Sequence, residues 1–219
     1  MSFFESRRFS AVFALVCAGA GLLSACSGGT VGGTPSPATG STPASSSGAA
    51  SSSAGSDGVP SVETPLPATV LDGSPCDSAL TTAQVVSFIG TPKTPERDDT
   101  FGTGPACTWF SANDANSQIN VYYETKLGGG LDVIYRNVKP QAGRWEPTSL
   151  QGYPAVAGTN KGEDQSITGG CNFTVGVRDD LVFGVGLTLG ANARERGVDS
   201  CEGAKDVANA VLTNLKGRS

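Results

Sequence analysis

Two predicted β-strands and the turn between them lie at Cys171-Asn-Phe-Thr-Val-Gly-Val-Arg-Asp-Asp-Leu-Val-Phe-Gly-Val-Gly-Leu-Thr-Leu189. Residues 171–178 and 181–189 are rich in β-branched and aromatic side chains, which favour strands. The paired aspartates Asp179 and Asp180 are typical of the two-residue turn that joins a hairpin. This segment therefore predicts an antiparallel hairpin.

The turn also fixes which side chains share a face of the hairpin. With the two aspartates as its only turn residues, strand alternation separates the side chains into two sets. One face carries Phe173, Val175, Val177, Val182, Gly184, Gly186 and Thr188, and the other carries Phe183, Val185, Leu187, Leu189 and Gly176. Both faces are apolar, and the glycine-notched one either packs a helix closely, accepts a partner or lines a groove. The candidate binding face consists of Phe173, Val175, Gly184 and Gly186.

Two helices begin at recognisable capping sequences. Thr81-Thr82-Ala83-Gln84 has the spacing of a capping box, and an apolar run follows it. Asp199 and Glu202 have the same spacing before a longer run. That run places apolar residues at helical intervals, at Ala204, Val207, Ala208, Val211, Leu212 and Leu215. The second run therefore predicts a strongly amphipathic helix.

Strand and helix patterns also occur between these two helices. Residues 118–126 alternate apolar and polar side chains, and the spacing turns helical after Gly128-Gly129-Gly130. Weaker strand patterns cover residues 145–150 and 155–159. The order of elements is α, β, β, α, several β and then α. It predicts a single α+β domain over residues 76–219, an antiparallel sheet with helices packed on one face.

Four of the six cysteines belong to this domain, namely Cys76, Cys107, Cys171 and Cys201. Their even number and the lack of a C-x-x-C spacing favour two disulfides over a zinc site. Three connectivities are possible. Cys76 and Cys201 stand ahead of helix signals, whereas Cys107 and Cys171 begin strand-like runs. Pairing each helix start with the strand start nearest in sequence favours Cys76–Cys107 and Cys171–Cys201.

The N-terminal residues 1–25 have the features of a signal peptide, with a basic start and an apolar run too short to span a bilayer. The run ends at Leu23-Ser24-Ala25-Cys26, which resembles the lipobox of bacterial lipoproteins. That resemblance implies lipid on Cys26, a membrane anchor of two or three acyl chains. Residues 26–75 are rich in Ser, Gly, Thr, Ala and Pro and are expected to form a disordered tether.

Composition excludes several classes of function. A formal net charge of -5 argues against nucleic acid as a partner, because phosphates require a basic face. Histidine does not occur in the sequence, which removes Ser-His and Cys-His nucleophiles and His-ligated metals. The acidic pairs Asp98-Asp99, Glu163-Asp164 and Asp179-Asp180 lie in predicted loops, where solvated aspartate is the ordinary case. We therefore predict no metal site, no cofactor and no catalytic residue.

Aromatic residues on the predicted strands are a further candidate for binding, since their rings can stack on sugars. They are Trp109, Tyr122, Tyr123, Trp145 and Tyr153. Buried or half-buried strand positions also explain such residues, and we expect most of them to belong to the core.

The folded part resembles a known family. Ser74-Pro-Cys76-Asp-Ser-Ala-Leu-Thr-Thr-Ala-Gln-Val-Val-Ser-Phe-Ile-Gly90 and Ala106-Cys107-Thr-Trp109 are similar to small lipoproteins of high-GC Gram-positive bacteria, the actinobacterial LprB/LprC-like group of unknown function. Gly152-Tyr-Pro-Ala-Val156 fits the same pattern. The resemblance spans the lipobox and nearly all of residues 74–216. It implies a position in the cell envelope, on the outer leaflet of the cytoplasmic membrane, and supplies no catalytic residues.

Two functions from different classes are compatible with the sequence. The first is a noncatalytic binding module for an envelope protein or an amphiphilic ligand, held at the membrane by its lipid anchor. The second is an enzyme or an enzyme accessory that acts on envelope lipid or cell-wall material. The absence of histidine and of catalytic motifs favours the first.

Overall fold

The computed structural model describes residues 58–114, 116–162 and 169–218. Its strands are β1 Glu96–Asp98, β2 Ala106–Phe110, β3 Gln118–Tyr123, β4 Ala142–Leu150, β5 Tyr153–Asn160, β6 Gly170–Arg178 and β7 Leu181–Thr188. Its helices are α1 Pro75–Ser78, α2 Thr82–Ile89, α3 Gly130–Asn137, α4 Ala191–Glu195 and α5 Ser200–Lys216, with a 3-10 helix at Lys139–Gln141. The signal peptide, the lipobox with Cys26 and the Glu163-Asp164 pair lie outside the described residues.

The strands form one seven-stranded antiparallel sheet in the order β1-β2-β3-β7-β6-β5-β4. The central β6–β7 hairpin is flanked by β3 on one side and β5 on the other. Pro147 lies in β4, an edge strand, where a missing backbone N–H interrupts no further pairing. The predicted single α+β domain with an antiparallel sheet is confirmed.

Two capping sequences start helices as predicted. The Gln84 backbone N–H donates to Thr81 Oγ1 at 3.3 Å, while the Thr81 N–H donates to Gln84 Oε1 at 2.8 Å. At α5 the carboxylate of Asp199 accepts from the Cys201 N–H at 2.7 Å. Side-chain acceptors thus satisfy N–H groups that a helix start leaves unpaired.

The helices α1, α2 and α5 cover one face of the sheet and build the main core. From the sheet this core takes Ile119, Val121, Tyr123, Phe173, Val175, Phe183, Val185 and Leu187. From the helices it takes Ala79, Val85, Ile89, Val207, Val211, Leu212 and Leu215. A smaller cluster of Leu131, Ile134, Val156, Val182 and Val59 places α3 on the opposite face. The prediction that the helices pack on one face therefore holds for α1, α2 and α5 but not for α3.

The hairpin register differs from the predicted one. A β-bulge between Gly176 and Arg178 inserts Val177, so Val175 pairs with Phe183 and Phe173 pairs with Val185. One inserted residue transfers every earlier side chain of β6 to the other face. The candidate binding face of Phe173, Val175, Gly184 and Gly186 is therefore wrong as a single surface. Phe173 and Val175 point into the main core, whereas the two glycines lie on the face toward α3.

Both predicted disulfides are confirmed. Cys76 in α1 is bonded to Cys107 in β2 with a Cα–Cα distance of 5.1 Å. Cys171 in β6 is bonded to Cys201 in the first turn of α5 at 5.0 Å. Each bond joins a helix to a strand of the sheet.

The segment that precedes Cys76 belongs to the folded domain. Val62, Leu66, Val70 and Leu71 are buried in the main core. The Leu66 N–H donates to the Val177 carbonyl at 3.0 Å, and the Val62 N–H donates to Asp179 Oδ1 at 2.8 Å. The predicted tether therefore does not extend to residue 75. The many small residues of the predicted tether indicated disorder throughout. The apolar side chains of this segment bury enough surface to order residues 58–75.

Candidate functional site

The face opposite α5 contains a depression that is made by glycines. Gly186 pairs with Asn120 on β3 and with Asn172 on β6. Gly184, two residues away, pairs with Tyr122 and Thr174 in the same way. Beyond Asn172 the row continues through Gly158 to Trp145. We call this surface, centred on Gly158, Gly184 and Gly186, the glycine face.

Helix α3 covers one end of the glycine face. A Cβ atom added to Gly176 would lie 2.9 Å from Leu131 Cδ1, so the helix packs directly on the backbone there. A Cβ atom added to Gly184 would lie 3.4 Å from Glu124 Oε1 and 3.5 Å from Tyr122 Cδ2, which are ordinary contacts. Close helix packing therefore explains Gly176, whereas Gly184 borders open space.

That open space is a cavity of about 220 Å³ between α3 and the sheet. Ile134 lines it from the helix and Val138 from the residue that follows the helix. Val156 and Trp145 line it from β5 and β4. Its polar side chains are Tyr122, Glu124, Thr159, Asn160, Asn172 and Thr174. The cavity is apolar on the side of the helix and carries hydrogen-bonding groups on the side of the sheet.

Two further concavities adjoin the cavity, because all three share Tyr122 and Asn172. The first, of about 310 Å³, runs along the other side of α3 and includes Phe101, Leu127 and Val133. We call it the apolar trough. The second, of about 340 Å³, is lined by Gln118, Asn120, Asn160, Asn172, Gly186 and Thr188 among others. We call it the polar recess.

Among the described residues that line the cavity, the apolar trough and the polar recess, Glu124 is the one with a carboxyl group. Burial raises the pKa of this carboxyl group above its ordinary value. No hydrogen bond or ion pair from the described part of the chain reaches its oxygens. Burial also raises the pKa of Tyr122, and the nearby negative charge of Glu124 adds to that effect. The site therefore disfavours negative charge.

Trp145 contributes an unsatisfied donor. Its Nε1–H is buried and, within the described residues, finds no acceptor. The indole packs edge-on against Tyr135, with ring centroids 5.0 Å apart, which holds it in place at the cavity wall. A buried donor without a partner costs about 1–3 kcal/mol, so an acceptor supplied by a ligand would stabilise the complex.

The aromatic residues divide between the core and the cavity. Trp109, Tyr123 and Tyr153 are buried in the main core, as expected for strand positions. Tyr122 and Trp145 instead line the cavity. Sequence reasoning did not single out Glu124, Asn120 or Asn172. For Asn120 the signal was the alternation of strand β3, which places Asn120 and Tyr122 on the face opposite Ile119, Val121 and Tyr123.

The acidic pairs in the described residues have structural partners. Asp98 accepts hydrogen bonds from the N–H and the hydroxyl of Thr100 at 2.9 and 2.8 Å. Asp179 accepts a hydrogen bond from the Val62 N–H, and Asp180 forms an ion pair with Arg178, with Oδ1 3.0 Å from Nε. Within residues 58–114, 116–162 and 169–218 no group of three or more Cys, Asp or Glu side chains is placed to hold a metal.

Comparisons with known proteins complete the description of the site. Of the helices in the described residues, none has the length and apolar character needed to span a membrane. Searches of curated proteins and of solved structures found no match. One family model, described as "Protein of unknown function (DUF3558)", matches residues 21–214. Because that match covers most of the chain, the protein belongs to the DUF3558 family.

Proposed function

We propose that this protein is a noncatalytic binding module of the cell envelope and that it holds an amphiphilic ligand in the cavity of the glycine face. The observation that carries the proposal is the cavity itself, which lies between Ile134 of α3, Val138 just after the helix, and the floor at Gly184. Apolar side chains line one side of it and hydrogen-bonding groups line the other. Such a division is typical of small-molecule sites, where apolar contact supplies affinity and a few polar groups supply orientation.

Unsatisfied groups at the cavity support a ligand that carries oxygen atoms. Trp145 Nε1–H lacks an acceptor, and Glu124 lacks a partner within the described chain. A hydroxyl group accepts from the indole and donates to the carboxyl group, so one kind of ligand group satisfies both. The exposed side chains of Phe101 and Val138, 41% and 43% accessible, border the adjoining apolar trough. Hydrocarbon placed there would remove both from water.

The lipid anchor is part of this proposal. Leu23-Ser24-Ala25-Cys26 supports acylation of Cys26, and the resemblance to LprB/LprC-like lipoproteins supports a position on the outer leaflet of the cytoplasmic membrane. The domain would then meet amphiphiles that leave or enter that leaflet.

An enzyme or enzyme accessory acting on envelope lipid or cell-wall material is the second candidate. The raised pKa of Glu124 favours it, because a carboxyl group whose pKa is raised by burial serves more readily as a general acid. Glycoside hydrolysis, one such reaction, uses a pair of carboxyl groups. Among the described lining residues Glu124 has no second carboxyl group beside it, which favours binding without turnover.

Tryptophan fluorescence tests the proposal directly, since the chain has two tryptophans and only Trp145 lines the cavity. In a Trp109→Phe background, titration with 1-octanol or n-octyl β-D-glucoside should change the emission of Trp145 with saturation. Gly184→Phe should abolish the change, because the ring fills the cavity. Unchanged emission in both titrations, or equal binding by Gly184→Phe, would count against the cavity as a ligand site.

A further inference from the structure

The glycine face offers two chemically different surfaces to one ligand. The apolar trough and the cavity lie beside α3, and the polar recess lies beyond Gly186 on the same face. Because all three share Tyr122 and Asn172, a single elongated molecule can occupy them together. We therefore expect the hydrocarbon of an amphiphile in the apolar trough and the cavity, and its head group in the polar recess.

Among the described residues that line it, the polar recess has carboxamides but no charged side chain. Its lining contains Gln118, Asn120, Asn160 and Asn172 together with the hydroxyl of Thr188. A phosphate, a carboxylate or an ammonium group placed there would lose hydration and find no counter-charge. Each carboxamide instead offers both donors and an acceptor, which is the set that matches hydroxyl groups.

Gly186 makes the recess accessible at its centre. Its two cross-strand partners are Asn120 and Asn172, and a Cβ atom at Gly186 would lie 3.3 Å from Asn172 Oδ1 and 3.7 Å from Asn120 Nδ2. The hydroxyl of Thr108 bonds Asn120 Oδ1 at 2.7 Å and holds that amide in position. Two amides therefore flank a floor without a side chain, and a head group placed on Gly186 would lie between them.

Tyr122 stands where the polar recess meets the cavity. Its ring packs on Phe101 with centroids 5.3 Å apart, which fixes it at the junction. An aromatic ring beside carboxamides suits a sugar, because a sugar ring presents an apolar C–H face together with its hydroxyl groups. Glu124, with its carboxyl group beside Gly184, lines the cavity and does not line the polar recess.

We infer that the ligand of this protein is an amphiphile with an uncharged, polyhydroxylated head group of the glycosyl class, seated on Asn120, Gly186 and Asn172, with its hydrocarbon under α3. This inference rests on the proposed function and specifies its ligand.

The experiment compares four octyl compounds below their micelle-forming concentrations, using the full chain with Trp109→Phe and the emission of Trp145. They are n-octyl β-D-glucoside, 1-octanol, octanoate and octyltrimethylammonium. We expect the glucoside to bind about tenfold more tightly than either ion. Asn172→Leu should weaken glucoside binding about fivefold and leave octanol unchanged, because it removes about one net hydrogen bond. Asn172 is exposed, so this variant should fold normally.

A matched control is Asn113→Leu, since Asn113 is also an exposed asparagine but lines none of the three concavities. It should leave all four affinities unchanged. If octanoate or octyltrimethylammonium binds as tightly as the glucoside, or if Asn172→Leu has no effect, the head-group inference fails while the cavity stands. If none of the four compounds binds, both the proposed function and the head-group inference fail.

Discussion

Leu131 of α3 lies directly on the backbone of Gly176, and its Cδ1 atom is 2.9 Å from where a Cβ atom would be. Eight residues further along the chain, Gly184 lies on the same face of the sheet but has only ordinary contacts around it. The two glycines thus serve different purposes. Gly176 allows the helix to approach the sheet, and Gly184 leaves the cavity open.

Alanine substitution should separate these two roles. Gly176→Ala forces Leu131 or α3 to move, and overpacking of this kind costs about 1–3 kcal/mol. Gly184→Ala should leave the free energy of unfolding unchanged or raise it by up to about 1 kcal/mol, because glycine loses more chain entropy in a strand. Urea unfolding of the two variants measures the difference. Equal destabilisation would mean that α3 packs as tightly over Gly184 as over Gly176.

Anchoring through Cys26 can be tested in cells. Cys26→Ala removes the residue that would carry the acyl chains, and none of the helices in the described residues is able to span a membrane. We expect the variant to move from the membrane fraction to the medium. Fractionation followed by immunoblotting measures this, with the wild-type chain as control. A variant that stays with the membrane after a high-salt wash would contradict the lipid anchor.

Local sequence patterns predicted the helices and the disulfides because the determining interactions are local. The capping box at Thr81 and Gln84 forms within one helical turn, and the apolar stripe of α5 follows from its own spacing. The cysteine pairing followed from the position of each cysteine at the start of an element. None of these features depends on how distant strands align.

The orientation of the central hairpin could not be predicted in the same way. The face on which Phe173 and Val175 lie depends on whether Val177 is paired or bulged, and the bulge is stabilised by tertiary contacts. Val177 is fully buried, and its carbonyl accepts from the Leu66 N–H of the N-terminal segment. Sequence reasoning had assigned that segment to the tether. The two errors therefore have one cause, a contact between residues more than 100 positions apart.

Leu66 tests whether the N-terminal segment contributes to stability. Its side chain is buried in the main core. Its N–H donates to the carbonyl of Val177, the bulged residue, and its carbonyl accepts from Arg178 Nη1 at 3.1 Å. Leu66→Ala should lower the free energy of unfolding by about 2–3 kcal/mol, near the lower end for buried leucine. Glu63→Ala, an exposed neighbour, should change it by less than about 0.5 kcal/mol. Chemical denaturation compares the two. Equal effects of the two substitutions would mean that residues 58–75 do not contribute to the stability of the domain and belong to the tether.

Glu124 should make stability depend on pH in a defined direction. Burial raises the pKa of its carboxyl group in the folded protein, so folding favours the protonated form. The folded state consequently binds more protons than the unfolded state between the two pKa values. The contribution of Glu124 to stability is complete below its unfolded pKa and is lost as the pH rises through its folded pKa.

Glu124→Gln removes this titration and keeps a side chain of nearly the same shape. The variant should therefore be more stable than the wild type at pH 7–8. The difference should shrink as the pH falls through the raised pKa of Glu124 and should stay constant below about 4.5, where an unfolded glutamate is protonated as well. Thermal unfolding across that range measures the effect, and Glu63→Gln, an exposed glutamate, is the control. A Glu124→Gln variant with the same pH profile as the wild type would show that the Glu124 carboxyl group is solvated like that of Glu63. The polar side of the cavity would then bind a ligand without the contribution of a neutral acid.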